Sequence, residues 1–383
     1  MKTALAIFLL LFFQDKAISK PKEIVIGLAS NFSEVSSSSS NPFGGYFRDG
    51  ITLAIQNAKA KLDQKEITIK TQEFDYGTSD ARVLEVAKNA ASSEAIAVVG
   101  YNFSSHALLA APIHQQAGLP MITPSATANR VGSLGAFIHQ ACFDNAFMGE
   151  TLAHVALNKL KAKRVAMITA MDCAYCTDLA TAFEAEFKNG GGMIVVSEQV
   201  LQKDTDFTST FKKLKSYSFD TVLVPNQELL SARIISSLIS SGISKPFLGG
   251  DGWGNVGDEF FSILGGKPLT GYSVSHWHPE EQSIKSKKFV TDYKNRFGKM
   301  PNDTSVLAYD AMSILIDALL KTNDFTRSGV EKSLSKLNEF QGVTGKFIFR
   351  KKQSPRKSLV LLSANESKFN VIEKIEPSKG AAR

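Results

Sequence analysis

Cysteine is scarce in this chain of 383 residues: there are three, Cys142, Cys173 and Cys176, an odd number. The spacing Cys173-Ala-Tyr-Cys176 is open to three readings: a redox C-x-x-C, a local disulfide, or loop residues. A strand at 165–169 followed by a helix at 177–188 fits a thioredoxin-like site loosely. The odd count and the absence of a companion cis-proline signature favour a structural disulfide or unpaired thiols instead. Long apolar runs are also missing once the first residues are passed. Residues 4–13 are apolar but too short to span a bilayer, Lys2 precedes them, and small residues end the stretch at 17–19. That pattern predicts a secretory leader, residues 1–19, with cleavage near residue 19, an exported mature chain, and no membrane insertion of it.

Other absences exclude whole classes of chemistry. Walker spacing and G-x-S-x-G are absent, and the glycines that follow residue 249 enclose an Asp that would repel phosphate, so neither a phosphate cradle nor a nucleophile elbow is signalled. His276 and His278 stand one residue apart with only Glu280 and Glu281 behind them, a poor closed metal site. The basic runs at 285–288 and 350–352 lack interleaved aromatics, so the net charge of +7 reads as a solvated face with no nucleic-acid partner. No catalytic set, metal or cofactor is expected.

What is present is a soluble globular composition, 43% hydrophobic and 21% charged, at a length suited to two lobes. From residue 23 onward, strand and helix patterns alternate. The predicted strands include 23–29, 66–74, 95–100, 119–123, 164–169, 193–200, 220–224 and 246–249. Helices are predicted between them at 44–61, 79–91, 104–117, 145–160, 177–188, 206–215 and 229–241. Such alternation predicts α/β architecture with two doubly wound parallel sheets, one per lobe. Further helices at 283–297, 302–321 and 326–337, then antiparallel strands at 346–350, 358–362 and 370–375, imply a chain that crosses between lobes more than once.

The stretch 100–127 concentrates hydroxyls at strand ends. Ser104 and Ser105 fall where a helix starts, and Ser125 and Thr127 follow the next strand. Free backbone N–H groups, a positive helix end and several hydroxyls, with no nearby Lys or Arg, suit a small carboxylate; the alternative is that the hydroxyls only cap helices. Asp251, in GGDGWG at 249–254, ends another strand among glycines that let a ligand approach. It reads as a partner for a cation or ammonium, or else as an Asx turn or helix cap. Tyr175 falls on a loop after a strand, where its ring can cover a ligand or simply pack. Asn226 and Gln227 follow the strand ending at Val224 and can donate or accept at the same crevice.

Six pieces in order carry a resemblance: IVIGL at 24–28, NPFGGYFRDG at 41–50, ITPSAT at 122–127, CFDNAFMG at 142–149, DTDF at 204–207 and GGDGW at 249–253. Together, and over nearly the whole mature chain, they resemble the periplasmic solute-binding proteins of branched-chain amino acid ABC transporters. The resemblance implies the type I periplasmic-binding-protein fold, two lobes joined by three crossovers that close on a ligand by hinge motion. Its implied division is 20–138 plus 271–345 for the first lobe and 139–270 plus 346–383 for the second. It implies a ligand α-carboxylate gripped at Ser104, Ser125 and Thr127, an α-ammonium met by Asp251, an aromatic ring at Tyr175, and walls at Phe43 and Phe103. A periplasmic location, a small-molecule ligand, an inner-membrane ABC permease as partner and no enzymatic activity follow from the same likeness. A ligand sensor reporting to a membrane receptor is the nearest alternative, and an exported thiol-redox enzyme using Cys173 and Cys176 a more distant one. This chain departs from the family where Asn226-Gln227 replaces a frequent aromatic, in the Ser36–Ser40 tract, and in the paired cysteines.

Overall fold

The computed structural model describes residues 21–33, 43–77, 79–254, 258–351, 353–365 and 367–377. The expected leader and the serine tract lie outside these residues.

The first sheet is built from β1 (Lys22–Ser30), β2 (Ile67–Asp75), β3 (Ala97–Gly100), β4 (Met121–Thr123) and β5 (Ile138–Gln140), all parallel, in the order β2-β1-β3-β4-β5. Helices α1 (Phe43–Gln64), α2 (Asp80–Ser92) and α3 (Ser104–Gln116) connect its strands. Its central strand β3 is buried along its whole length, whereas edge strand β2 is mostly exposed, as position in a parallel sheet demands.

The second sheet takes β6 (Arg164–Ala170), β7 (Met193–Val200), β8 (Thr221–Leu223), β9 (Phe247–Gly249) and β10 (Thr270–Ser275), again parallel. Its helices are α4 (Asn145–His154), α5 (Ala174–Asn189), α6 (Thr208–Leu214), α7 (Glu228–Ser240) and α8 (Asp258–Leu264). The chain then returns to the first lobe through α9 (Ile284–Phe297), α10 (Asp303–Lys321) and α11 (Arg327–Leu334). A small antiparallel sheet follows, β11 (Glu339–Gln341), β12 (Lys346–Arg350) and β13 (Gln353–Arg356). Finally β14 (Leu359–Asn365) and β15 (Lys368–Ile375) add antiparallel to β10, giving β15-β14-β10-β9-β8-β6-β7.

Helices α1 and α10 lie so close that a Cβ on Gly50 would sit 2.1 Å from the Ser305 carbonyl oxygen. That glycine therefore sets how α10 packs on the first lobe.

Both expected parallel series are present, but the crossings fall later than residues 138, 270 and 345. Strand β5 still pairs with β4, so the first crossing is 141–144. Strand β10 pairs with β9 and β14, so the second follows Ser275. Phe347 of β12 is buried in the first lobe's core and Ser354 of β13 donates to Gln140 of β5 at 2.8 Å, so the third lies at 357–358.

Both parallel series share one topology. Strand order reverses between β1 and β3 in the first lobe and between β6 and β8 in the second, and ligands of open α/β sheets bind beyond the strand ends at such a reversal. Every residue proposed for the site follows a strand of one sheet or the other.

Candidate functional site: the interlobe cleft

Strand β3 ends at Gly100, and Tyr101 then adopts a left-handed conformation, φ 58°, although fully buried. A bulky residue held there stores about 1–3 kcal/mol of strain and persists only when its surroundings over-determine it. Those surroundings are evident. The Tyr101 ring stacks on Tyr76, its hydroxyl lies 3.1 Å from His114 Nε2, and its carbonyl accepts from Thr123 Oγ1 at 2.8 Å. The strained residue turns the chain from β3 into α3.

Ser104 and Ser105 are the first residues of α3, and neither caps it. Phe103 occupies the N-cap position, and no side chain among the described residues bonds the helix end. The hydroxyls go elsewhere because other orphan donors and acceptors are nearer. Ser104 Oγ accepts from Ala128 N at 3.1 Å, and Ser125 Oγ donates to the Asn102 carbonyl at 2.9 Å. These two bonds clamp the loops after β3 and β4 together. Ser105 Oγ accepts from Ala174 N of the other lobe at 3.2 Å. Thr127 Oγ1 is buried with no hydrogen-bond partner among the described residues. The first lobe thus offers an uncapped helix N-terminus and one unused buried hydroxyl, both suited to an anion. Phe43, first residue of α1, stacks on Phe103 with centroids 5.4 Å apart.

On the second lobe, Asp251 opens a short 3-10 turn, Asp251–Trp253, after β9. The fully buried Trp253 anchors that turn by donating from Nε1 to the Val224 carbonyl at 2.9 Å. The surrounding glycines admit protein rather than only a ligand. A Cβ on Gly249 would meet Trp253 at 1.9 Å, and one on Gly250 would meet the Tyr175 hydroxyl at 2.3 Å. Tyr175 lies in the first turn of α5, not in the expected loop, because that helix begins at Ala174. Its hydroxyl accepts from Gly252 N at 2.9 Å. Burial first, and then the neighbouring Asp251 charge, push its phenol well above the usual range.

Asp251 Oδ2 lies 2.9 Å from His276 Nε2, while Oδ1 is buried beside the Tyr175 hydroxyl with no close hydrogen-bond partner among the described residues. Sequence reasoning weighed His276 only as a metal ligand and missed this pairing; its one signal was a histidine at the end of a strand. Burial lowers its pKa, and Asp251 opposes the shift. His278 faces a separate turn, its Nδ1 accepting from Glu280 N at 3.2 Å. Among the described residues no group of three or more His, Cys, Asp or Glu is placed to hold a metal.

Asn226 is fully buried and braces strands: its Oδ1 accepts from Ala170 N at 2.7 Å and its Nδ2 donates to the Ile168 carbonyl at 2.9 Å. Its amide therefore holds β6 to the turn after β8 instead of lining the crevice. Gln227 occupies the N-cap position of α7 without bonding it. Cys173 and Cys176 form a disulfide across the first turn of α5, and Cys142 is a free, buried thiol.

The two sides meet across a continuous path. Ser105 bonds the backbone of Ala174, Tyr175 follows in the same turn, and its hydroxyl reaches the backbone beside Asp251. Asp178 of α5 adds a second bridge, accepting from the backbone and side chain of Asn129 at 2.9 and 3.3 Å. Beside this rim lies a cavity of about 250 Å³, lined by Leu108, Ala128, Arg130, Ala174 and Asp178. A cavity of about 300 Å³ opens elsewhere, among Phe143, Phe147, Arg350, Arg356 and Lys357. Neither is lined by Ser104 or Asp251.

Two α/β lobes of like topology, with polar strand ends turned to a shared cleft and three chain crossings between them, define a type I periplasmic binding fold. The chain belongs to the periplasmic binding protein family, whose pattern matches residues 23–368. It is 26% identical over 246 residues to the Leu/Ile/Val/Thr-binding protein of Salmonella typhimurium, covering 62% of this chain and 67% of that one. Its fold matches LivJ of Streptococcus pneumoniae, a branched-chain amino acid transporter substrate-binding protein solved with isoleucine. The TM-score is 0.83 at 27% identity, over 93% of this chain and 100% of that one. The leucine-binding protein LivK of Thermotoga maritima gives a TM-score of 0.82 at 26% identity, over 93% and 99%.

Proposed function

We propose that this chain is a non-catalytic, exported receptor that captures a small carboxylate-bearing solute, most simply an amino acid, between its lobes. It then delivers that solute to an inner-membrane ABC permease. The single observation that carries the reading is the opposed polarity of the cleft. Among the described residues, one lobe brings a helix end that its N-cap side chain leaves free and a Thr127 hydroxyl without a partner; the other brings one carboxylate with a buried oxygen that no close donor holds. Such a site complements a zwitterion, whose carboxylate and ammonium would satisfy both sides at once. Closure follows because each lobe alone supplies half the contacts, so ligand favours the state in which both are made. Relatives that bind leucine, isoleucine, valine or threonine by name support the ligand class. No helix among the described residues is long and apolar enough to cross a membrane.

The thiol-redox alternative gains no support, because Cys173 and Cys176 are paired and buried, and thiol exchange needs access. Thermal-shift screening of the mature chain against the twenty amino acids and small organic acids tests the proposal. A ligand that binds only the folded state raises the melting temperature, and a flat response across the panel refutes the reading.

A further inference from the structure

Each of the three crossings contributes one buried side chain to a single cluster: Phe143 from the first, His276 from the second and Lys357 from the third. The His276 ring stacks on Phe143 with centroids 3.9 Å apart and planes 20° from parallel. Lys357 Nζ donates to the His276 carbonyl at 3.1 Å and lies 5.3 Å from the Phe143 ring centroid. From inside this cluster, His276 Nε2 reaches Asp251 at 2.9 Å. We infer that His276 is a positioning residue that ties the carboxylate of Asp251 to the hinge. The inference rests on the reading of Asp251 as the ammonium partner.

The chemistry of the ring supports it. Nδ1 is buried and has no hydrogen-bond partner among the described residues, so the proton of a neutral imidazole belongs on Nε2, where it donates to Asp251. Burial disfavours the imidazolium, and the nearby Lys357 ammonium adds to that, while Asp251 works against both. The neutral ring therefore orients Asp251 without cancelling its charge. The other groups that act on this carboxylate are Cys142 after β5, Tyr175 on α5 and Asp303 at the start of α10. None of them carries a positive charge.

Two consequences follow. Strands at a hinge move least when lobes rotate, so Asp251 stays in place while the first lobe's grip approaches and leaves. Below the ordinary histidine range, an imidazolium at this position competes with a ligand ammonium for the same carboxylate. Ligand affinity should then fall on acidification.

Calorimetric titration of the mature chain with each of the twenty amino acids, at about pH 7.5, 5.5 and 4.5, tests this with Asp251→Asn, His276→Gln and His276→Ala; the lowest pH reaches below the buried His276, and the middle one separates the titration of Asp303 at about 7. The expected result is that Asp251→Asn loses binding and His276→Ala weakens it about tenfold at the highest pH. His276→Gln, whose amide N–H replaces the ring donor, should hold within about threefold of wild type and lose much of the pH dependence. If His276→Ala does not fold, His276→Gln carries the test through its pH profile. Wild-type affinity and pH profile in the His276 variants, with binding lost in Asp251→Asn, overturn the inference and leave the site reading intact. Unchanged binding in Asp251→Asn, or no amino acid bound by wild type, overturns the site reading and the inference with it.

Discussion

The two faces of the cleft are built on opposite principles. The first lobe presents neutral groups, and most are already engaged: Ser104, Ser105 and Ser125 each bond a backbone atom, and only Thr127 is left over. The second lobe presents one charge, Asp251, held by His276 and neighboured by the Tyr175 hydroxyl. Neutral hydroxyls and helix amides stay satisfied, or nearly so, when a cleft opens and closes. A buried carboxylate needs support in both states, which the Asp251–His276 pair supplies.

Breaking the charged side should have the largest effect. Asp251→Ala should weaken binding of an amino acid by about 3–5 kcal/mol, since the ligand ammonium would be buried without a partner. Calorimetry reads it directly, and a loss no greater than that of a hydroxyl variant would erase the distinction between the lobes. Next comes an acid limb in the first lobe. His114, fully buried on α3, has its pKa held at about 4, mainly by burial. It is neutral in the fold and free to protonate on unfolding, so stability drains away as pH falls from about 6.5 to about 4, by on the order of 3 kcal/mol. Denaturant melts across that range should show the limb, and His114→Gln should make it shallower, the rest coming from His139, whose pKa burial also holds at about 4.

Two hydroxyl variants separate structure from binding on the neutral side. Ser125→Ala leaves the Asn102 carbonyl without its donor and should lower stability by about 1–3 kcal/mol in a melt. Thr127→Val removes a hydroxyl that bonds nothing among the described residues, so melting should hold while affinity falls by about 1 kcal/mol. Equal effects of both variants on melting would mean that Thr127 has a structural role.

The alternation of strand and helix was legible because parallel strands buried on both faces read as apolar runs between amphipathic helices. The placement of Ser104, Thr127, Tyr175 and Asp251 after strands was legible for the same reason. Details decided by tertiary neighbours were not. Serines at a helix start suggest caps, but at 104 and 105 the hydroxyls turn to Ala128 and Ala174, which no local pattern reveals. The glycines around Asp251 suggested room for a ligand, and much of that room is taken by Trp253 and Tyr175. Asn226 looked like a free polar group, yet two backbone groups of β6 claim its amide. The pairing of Asp251 with His276 joins residues 25 apart on separate strand ends and leaves no periodic trace.

The cystine of α5 encloses the same helical turn that carries Ala174 and Tyr175. A bridge between residues three apart restrains the unfolded chain much less than one closing a long loop, so its removal should be felt locally. A variant lacking the bridge, Cys173→Ser with Cys176→Ser, would melt much like the parent, yet hold Ala174 and Tyr175 less firmly.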